Sequence, residues 1–294
     1  MTAPVTRTAP VGFVGLGNLG QSMALNLIDR GWSLRVADSK PERVGPVVAA
    51  GATFAGDYGE LAETPVVCFA VPDDRAIRAV LAGGMIDRLG PEHLIVVHST
   101  TLPHQARVLA EELKRATGAG YPEVPVSGGS ERARRGDLSA FIGGDDESIE
   151  AVLPVLEDEA SGLFRLGPIG AASATKLANQ LIAFSALAGV HEALKLTAAY
   201  GVNDDAALGA IATATGDTWV GRNLSFWDRT AQDYNAAGVP KTDRPWAKDL
   251  VEVLMTAADL GIELPVATLL AEVLPPTIED HALLVAERAR NLSG

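Results

Sequence analysis

The sequence predicts an α/β fold: a doubly wound parallel sheet followed by an all-α C-terminal domain. Three observations predict it. Short β-branched runs alternate with helical patterns through the first half. A glycine-rich turn joins the first of those runs to the first helical pattern. From Ala171 on no clear strand pattern recurs, only Ala/Leu-rich segments separated by the breakers "YGVNDD", "AAGVPKTDRP" and "GIELP". The boundary is expected at the Gly167-Pro168 turn, giving domains over residues 1–166 and 167–294. A chain of 294 residues is long enough for two cores.

Taken in order, "MTAPVTRTAP" reads as a short loose tail. The strand "VGFVGLG" leads into a helix over "NLGQSMALNLIDRG", then the strand "SLRVAD". "PERVGPVVAAGA" is expected to be helical, "TPVVCFAV" a strand, "DDRAIRAVLAG" a helix and "HLIVVHST" a strand. "PHQARVLAEELKRATG" is a helix, with short strands expected near "AGYPEVPV", "LSAFIGG" and "LFRLG". Parallel strands with helical crossovers give this alternation.

Charge narrows the function. With 24 basic and 37 acidic side chains the formal net charge is −13. That argues against nucleic acid or anionic lipid as a general partner, since both demand a basic surface. The one cysteine, Cys68, excludes an internal disulfide and fits a reducing cytoplasm; within "PVVCFAV" it reads as a buried strand residue. No apolar run approaches the ~18 residues of a membrane span. The first residues lack a secretory hydrophobic stretch, so a cytoplasmic location is expected. Five histidines are scattered, and "HEALK" lacks a second histidine, so no metal site is expected.

Gly15-Leu16-Gly17-Asn18-Leu19-Gly20 fits G-x-G-x-x-G. Its place gives it weight: it follows the apolar strand at Val11–Val14 and opens an amphipathic helix. The first glycine permits a tight turn, the second admits a pyrophosphate to the backbone, and the third allows close helix–strand packing. The N–H groups of Asn18, Leu19 and Gly20 open the helix and face the phosphates. Asp38 ends the second strand 18 residues beyond Gly20, close to the ~20 at which a carboxylate accepts both adenosine-ribose hydroxyls. The first domain thus reads as a Rossmann-type dinucleotide-binding domain. A carboxylate repels a 2′-phosphate, so NAD is favoured, although Ser39, Lys40 and Arg43 are compatible with NADP.

Two further stretches carry chemistry. In "PVSGG", Ser127, Gly128 and Gly129 follow a strand; consecutive N–H groups there suit a carboxylate, and a plain turn is the competing reading. Lys176 is alone in charge from Pro168 to Val190, in a helix apolar or small on nearly every side. Lys176 and Asn179 share a helix face, which sets an amine able to transfer a proton beside an amide able to fix a substrate oxygen. The alternative is a lysine that snorkels to solvent.

The ordered motifs resemble the β-hydroxyacid dehydrogenases, the group of 3-hydroxyisobutyrate dehydrogenase and tartronate semialdehyde reductase, from about Val11 into the C-terminal helices. "EVPVSGGSERARRGDL" looks like the substrate motif D-A-P-V-S-G-G followed by A-x-x-G-x-L. "GPIGAASATKLANQ" looks like the catalytic motif G-x-x-G-x-G-x-x-x-K-x-x-N-N, and Lys248-Asp249-Leu250 is the late K-D-L. The resemblance implies a Rossmann domain joined by a long helix to a helical domain that supports homodimers or homotetramers. It implies Lys176 as general acid/base, Ser127, Gly128 and Gly129 on the substrate carboxylate, and Asn179 and Gln180 beside the substrate. Val71, Pro72, Thr100 and Lys248 match cofactor-contact positions.

The implied reaction is hydride transfer between NAD(P) and a short 3-hydroxy acid or its semialdehyde. The rival readings are an NADPH-dependent imine reductase, in which Asp or Tyr usually replaces the lysine, and a non-catalytic dinucleotide-binding module. Departures from the motifs are Glu123 for Asp, Ala172 for Gly, Gln180 for the second Asn, Val97 for an Asp before S-T, and the cluster Arg132, Arg134 and Arg135. The arginines read as a solvated helix face unless Arg132 meets a second anionic group on the substrate. In "TGDTWVGRNLSFWD", Gly216, Thr218, Trp219 and Asn223 match a substrate-pocket helix, with the aromatics read as core or interface residues.

Overall fold

The apolar runs that open the chain have both sides to bury, and the sheet they form has a core on each face. The computed structural model describes residues 4–293, and side chains for all of them except 288, 289 and 291–293. The strands β1 (Val11–Val14), β2 (Leu34–Ala37), β3 (Thr53–Phe54), β4 (Val66–Phe69) and β5 (Leu94–Val97) pair in parallel in the order β3-β2-β1-β4-β5. Alternate residues point to opposite faces. Val11, Phe13, Val66, Cys68, Leu94 and Val96 enter one core, while Val14, Val67, Phe69, Ile95 and Val97 enter the other. Helices cover both faces, which is why these strands read as continuous apolar runs rather than alternating ones.

The crossovers are α1 (Asn18–Asp29), α2 (Gly45–Ala49), α3 (Asp74–Val80) and α4 (Pro103–Thr117). The helix expected over residues 41–52 is a 3-10 turn at Pro41–Arg43 followed by the five-residue α2. Pro46 has no N–H to give and breaks the run. A second part of the sheet comprises β6 (Val126–Ser127), β7 (Leu138–Gly143) and β8 (Ala160–Gly167), with β6 antiparallel and β8 parallel to β7. Isolated bridges at Gly120 and Glu123 tie it to β5 and β7. Helix α5 (Gly129–Arg135) follows β6, and α6 (Asp146–Glu159), absent from the expected elements, crosses from β7 to β8. Asp145 caps α6 by accepting from Ser148 N at 2.8 Å.

The tail is not loose where it is described. Val5 N donates to Ala151 O at 2.8 Å, and Arg7 forks onto both Asp158 oxygens at 3.0 and 2.8 Å. Asp158 also accepts from Trp32 Nε1 at 2.8 Å, so one carboxylate fastens two remote segments. The first three residues of the expected tail lie outside the described residues.

The chain forms two compact units, one ending at Lys176 and the other beginning at Leu177. The second is helical as expected: most of α7 (Ala171–Ala198), then α8 (Asp204–Ile211), α9 (Trp219–Arg222), α10 (Leu224–Ala236), α11 (Pro245–Leu260) and α12 (Pro265–Ser293). Its core gathers Phe184, Leu187, Trp227, Trp246, Leu250 and Leu274. Trp246 is wholly buried, and its indole N–H donates to Glu279 at 3.1 Å, while Arg244 pairs with the same carboxylate. Helix α7 is long and apolar enough on average to cross a bilayer, by length and composition only, and 22% of its apolar window is buried. Polar and charged residues, among them Lys176, Asn179, Gln180 and Ser185, interrupt every apolar run in it, so no unbroken run shows in the sequence although the average is high.

Candidate active site

Four of the predicted cofactor segments stand at the carboxyl ends of neighbouring parallel strands. The loop of Gly15 to Gly20 follows β1, Asp38 follows β2, Val71 and Pro72 follow β4, and Thr100 follows β5. Strand order reverses between β1 and β4, the point at which open α/β sheets bind ligands. Gly15 adopts φ 90°, and a Cβ there would lie 2.3 Å from Ala70 O; a Cβ on Gly20 would lie 1.9 Å from Gly15 O. Only glycine lets this turn close at the required distance. At Gly17 the nearest atom to such a Cβ is Arg43 Nη1 at 3.9 Å, so the loop is open on that side.

The start of α1 fits an anionic cofactor. Gly17 supplies no side-chain cap and the first turn holds no acidic residue, so the first N–H groups and the positive dipole end face outward. Asp38 closes the loop from beneath: Oδ2 accepts from Leu16 N at 2.6 Å and Oδ1 from Lys40 N at 2.7 Å. Each oxygen keeps a lone pair for a ribose hydroxyl. Arg43 lies 3.8 Å from Asp38 and compensates its charge. Val71 N donates to Ser99 Oγ at 3.0 Å, locking the β4 and β5 loops together; Ser99 was not singled out in the sequence, though it adjoins Thr100.

In the same unit, β6 delivers Ser127, and Gly128 and Gly129 follow with φ 139° and 73°. Two successive positive-φ residues turn the chain into α5 and set their N–H groups side by side. The arginines after them are paired on the surface: Arg132 with Asp137 at 3.2 Å, and Arg134 with Asp29.

Glu123, noted in the sequence only as a departure from the motif, organises the start of α7. Its Oε1 accepts from Gly170 N at 2.6 Å and Ala172 N at 2.9 Å, and its Oε2 accepts from Ser173 Oγ at 2.7 Å. Burial raises its pKa, and the hydrogen bonds from Ser173, Ala172 and Gly170 oppose that rise. Two departures from the motif, Glu123 and Ala172, thus meet in one hydrogen bond. Lys176 lies one turn further along α7 and is 8% exposed.

In the second unit, Asn179, Gln180 and Lys248 join one polar network. Asn179 Nδ2 donates to Gln180 Oε1 at 3.2 Å, and Gln180 Nε2 donates to Asp249 Oδ2 at 2.7 Å. Lys248 Nζ lies 3.1 Å from Asp249 Oδ1 and 2.8 Å from Glu252 Oε1. Burial works against the charge on Lys248, but Asp249 and Glu252 outweigh it and its pKa is raised. Asp249 is the hub, and its place in K-D-L was the signal available. Of the pocket-helix candidates, Thr218 caps α9 by accepting from Gly221 N, and Asn223 donates to Trp219 O. Trp227 belongs to the core, stacked edge-on with Phe184, Phe226 and Trp246.

Comparison with known proteins agrees with this architecture. Residues 10–167 match the family described as the NAD binding domain of 6-phosphogluconate dehydrogenase. Residues 170–282 match the family described as NAD-binding of NADP-dependent 3-hydroxyisobutyrate dehydrogenase. The 3-hydroxyisobutyrate dehydrogenase of Pseudomonas aeruginosa is 32% identical over 74% of each chain. The NAD-dependent L-serine dehydrogenase of the same organism is 28% identical over 86% of this chain and 83% of its own. The solved structure of Mycobacterium tuberculosis 3-hydroxyisobutyrate dehydrogenase with L-serine superposes with a TM-score of 0.78 at 25% identity, covering 93% of this chain and 95% of the other. With the dinucleotide loop, the helical second unit and matches along most of its length, the chain belongs to the β-hydroxyacid dehydrogenase family, as an NAD(P)-dependent dehydrogenase.

Proposed function

We propose that the protein interconverts a short 3-hydroxy acid and its semialdehyde, with Lys176 as general acid/base and NAD as the preferred cofactor. The observation that carries this reading is the burial of Lys176 in the second turn of α7, in a stretch with no other charge from Pro168 to Val190. A lysine held largely out of water shifts its pKa readily, which suits a residue that exchanges its proton during turnover.

In oxidation, neutral Lys176 takes the proton of the C3 hydroxyl; in reduction, the ammonium returns it to the carbonyl oxygen. The bound nicotinamide supplies or accepts the hydride. The adjacent N–H groups of Gly128 and Gly129, with the Ser127 hydroxyl, hold the substrate carboxylate, and Asn179 orients the substrate while Gln180 is braced by Asp249. Most of the acceleration comes from this positioning. Asp38 favours the free ribose hydroxyls of NAD, and Val71, Pro72, Thr100 and Lys248 are assigned to the cofactor by their motif positions. The proteins named for 3-hydroxyisobutyrate and for L-serine support a substrate with a hydroxyl on the carbon β to a carboxylate.

The test is Lys176→Ala assayed on 3-hydroxyisobutyrate, L-serine and, with NADPH, a cyclic imine. Calorimetric titration should show NAD binding retained. Turnover of the hydroxy acids should fall by about 10²–10⁴. Turnover near the wild-type rate with binding intact refutes the lysine's role, and wild-type activity on the imine alone refutes the substrate class. A homodimer or homotetramer is proposed as well, supported by Ile182, Leu196, Val251, Met255 and Leu269, large apolar side chains exposed on the helical unit. Light scattering at micromolar concentration checks it, and a monomer refutes it.

A further inference from the structure

A cluster in the core beneath the cofactor loops, with His98 stacked on Phe13 of β1, remains unexplained by the reaction. Cys68 lies in β4, His98 one residue past β5, and Glu159 at the last position of α6. All three are buried. One ligand atom from each, Sγ, an imidazole nitrogen and a carboxylate oxygen, lies within 4.8 Å of the other two. Strand parity explains the first two: Cys68 points into the core shared with Val96, and His98 is two residues further along that face. Helix α6 packs its Val152, Val155 and Leu156 into the same core and brings Glu159 with them.

The polar atoms at the centre of this cluster are not satisfied by the protein. His98 Nε2 and both Glu159 oxygens are fully buried without a hydrogen-bond partner. His98 Nδ1 donates to Val124 O at 3.1 Å. A carbonyl only accepts, so the proton of the neutral ring sits on Nδ1 and the Nε2 lone pair faces Glu159. This is how ligating histidines are usually held: one nitrogen pinned by an outer acceptor, the other presented to a metal.

The spacing points the same way. Nε2 and Glu159 Oε2 are 3.5 Å apart, too long for a good O–H···N bond. Two ligands on a tetrahedral zinc, each bonded at about 2.0–2.2 Å, are separated by about 3.3–3.6 Å. Sγ lies within 4.8 Å of both atoms, so it needs to close by at most about 1 Å to reach its own edge of such a tetrahedron.

We propose that Cys68, His98 and Glu159 form a structural zinc site inside the dinucleotide-binding unit. Thiolate, neutral imidazole and carboxylate suit a borderline-soft divalent ion, and a water or backbone oxygen fills the fourth position. The charges balance: one thiolate and one carboxylate neutralise the ion, so no net charge is left in the core. Binding releases two protons, one from the Cys68 thiol and one from the Glu159 carboxyl. Without the ion the three groups stay neutral: burial pushes the Cys68 thiol up and Glu159 up to about 8, and it brings His98 down to about 4. Because the site is closed to solvent, the ion enters as the chain folds.

The test uses the full chain, unfolded in denaturant with a chelator and refolded with Zn²⁺, with Co²⁺, or with chelator alone, followed by removal of loose metal. Elemental analysis should give about one zinc per chain. The cobalt form should show a thiolate-to-cobalt charge-transfer band, and the zinc form should melt at a higher temperature than the chelator form. In Cys68→Ser and, separately, Glu159→Gln, the stoichiometric ion and the melting difference should be lost, and the charge-transfer band should vanish in Cys68→Ser. Wild-type protein that refolds to the same circular dichroism with no bound ion, or with an ion that Cys68→Ser retains, overturns the proposal; the former assigns the cluster to a buried water, the latter to adventitious surface metal. Should Cys68→Ser fail to fold, the cobalt spectrum of the wild type decides: absence of the thiolate band overturns the site.

Discussion

Replacing Glu123 by alanine tests how far the start of α7 depends on one carboxylate. The change strands two backbone N–H groups, Gly170 and Ala172, and leaves the Ser173 hydroxyl only its long contact with Thr101 Oγ1 at 3.4 Å, with Ala172 and Ser173 wholly buried. Each stranded buried group costs about 1–3 kcal/mol, and water admitted into the space left by the side chain recovers part of that. A net loss of about 4 kcal/mol follows, a large share of the ~5–15 kcal/mol that holds a typical domain together. In a unit of this size about 1 kcal/mol moves the melting temperature by about 2–4 °C, so Glu123→Ala should melt about 8–16 °C lower. Glu123→Gln keeps the acceptor toward Gly170 and Ala172 and disturbs only the Ser173 contact, so a drop of a few degrees at most is expected. Differential scanning calorimetry reads both. An alanine variant melting within about 2 °C of wild type would show that the cap does not hold the helix, and the reasoning would fail.

Other consequences are as direct. His191 packs edge-on against His281, which bonds Asp228 at 2.7 Å, and burial first, then His281, brings its pKa down to about 4 from 6.5. Between pH 6.5 and 4 the unfolded chain holds a proton there that the folded chain lacks, so stability should fall with pH across that window. Allowing for solvent near His281, the loss is about 2 kcal/mol; urea unfolding should show it, and His191→Phe should remove it. Gly15→Ala puts a methyl against Ala70 O and forces a positive φ on a residue with a side chain, so NAD titration should show binding weakened by at least about tenfold. Asp38→Ser, which removes the carboxylate beside Arg43, should raise kcat/KM with NADP relative to NAD; an unchanged ratio refutes Asp38 as the discriminator. Lys248→Met leaves Asp249 and Glu252 without their shared cation and should cost about 3 kcal/mol in thermal unfolding.

Most of the fold was legible in the residues. Strand runs with both faces buried, the G-x-G-x-x-G turn and the loss of strand patterns after Ala171 were enough to place the sheet, the loop and the helical unit. The misses have physical causes. Helix α6 was overlooked, and Pro154 within it is a residue that ordinarily ends helices. The tail read as loose because its anchor, Asp158, lies about 150 residues away in the chain, beyond any local pattern. At the candidate site, Lys176, Asn179 and the loop glycines were visible from type and spacing. The role of Glu123 was not, because it depends on β-strand and helix segments meeting across nearly fifty residues of sequence. Cys68, His98 and Glu159 are equally scattered and form no spacing motif.

The two-faced sheet also limits how such a chain can change length. Adding or deleting one residue inside β1, β4 or β5 would send every later side chain of that strand to the opposite side; a deletion before Cys68 would put Phe69 where Cys68 now fits. Indels should therefore be tolerated only in the connections, and the carboxyl-end loops, which begin where the strands stop, can be lengthened or reshaped without disturbing the register that holds them in place.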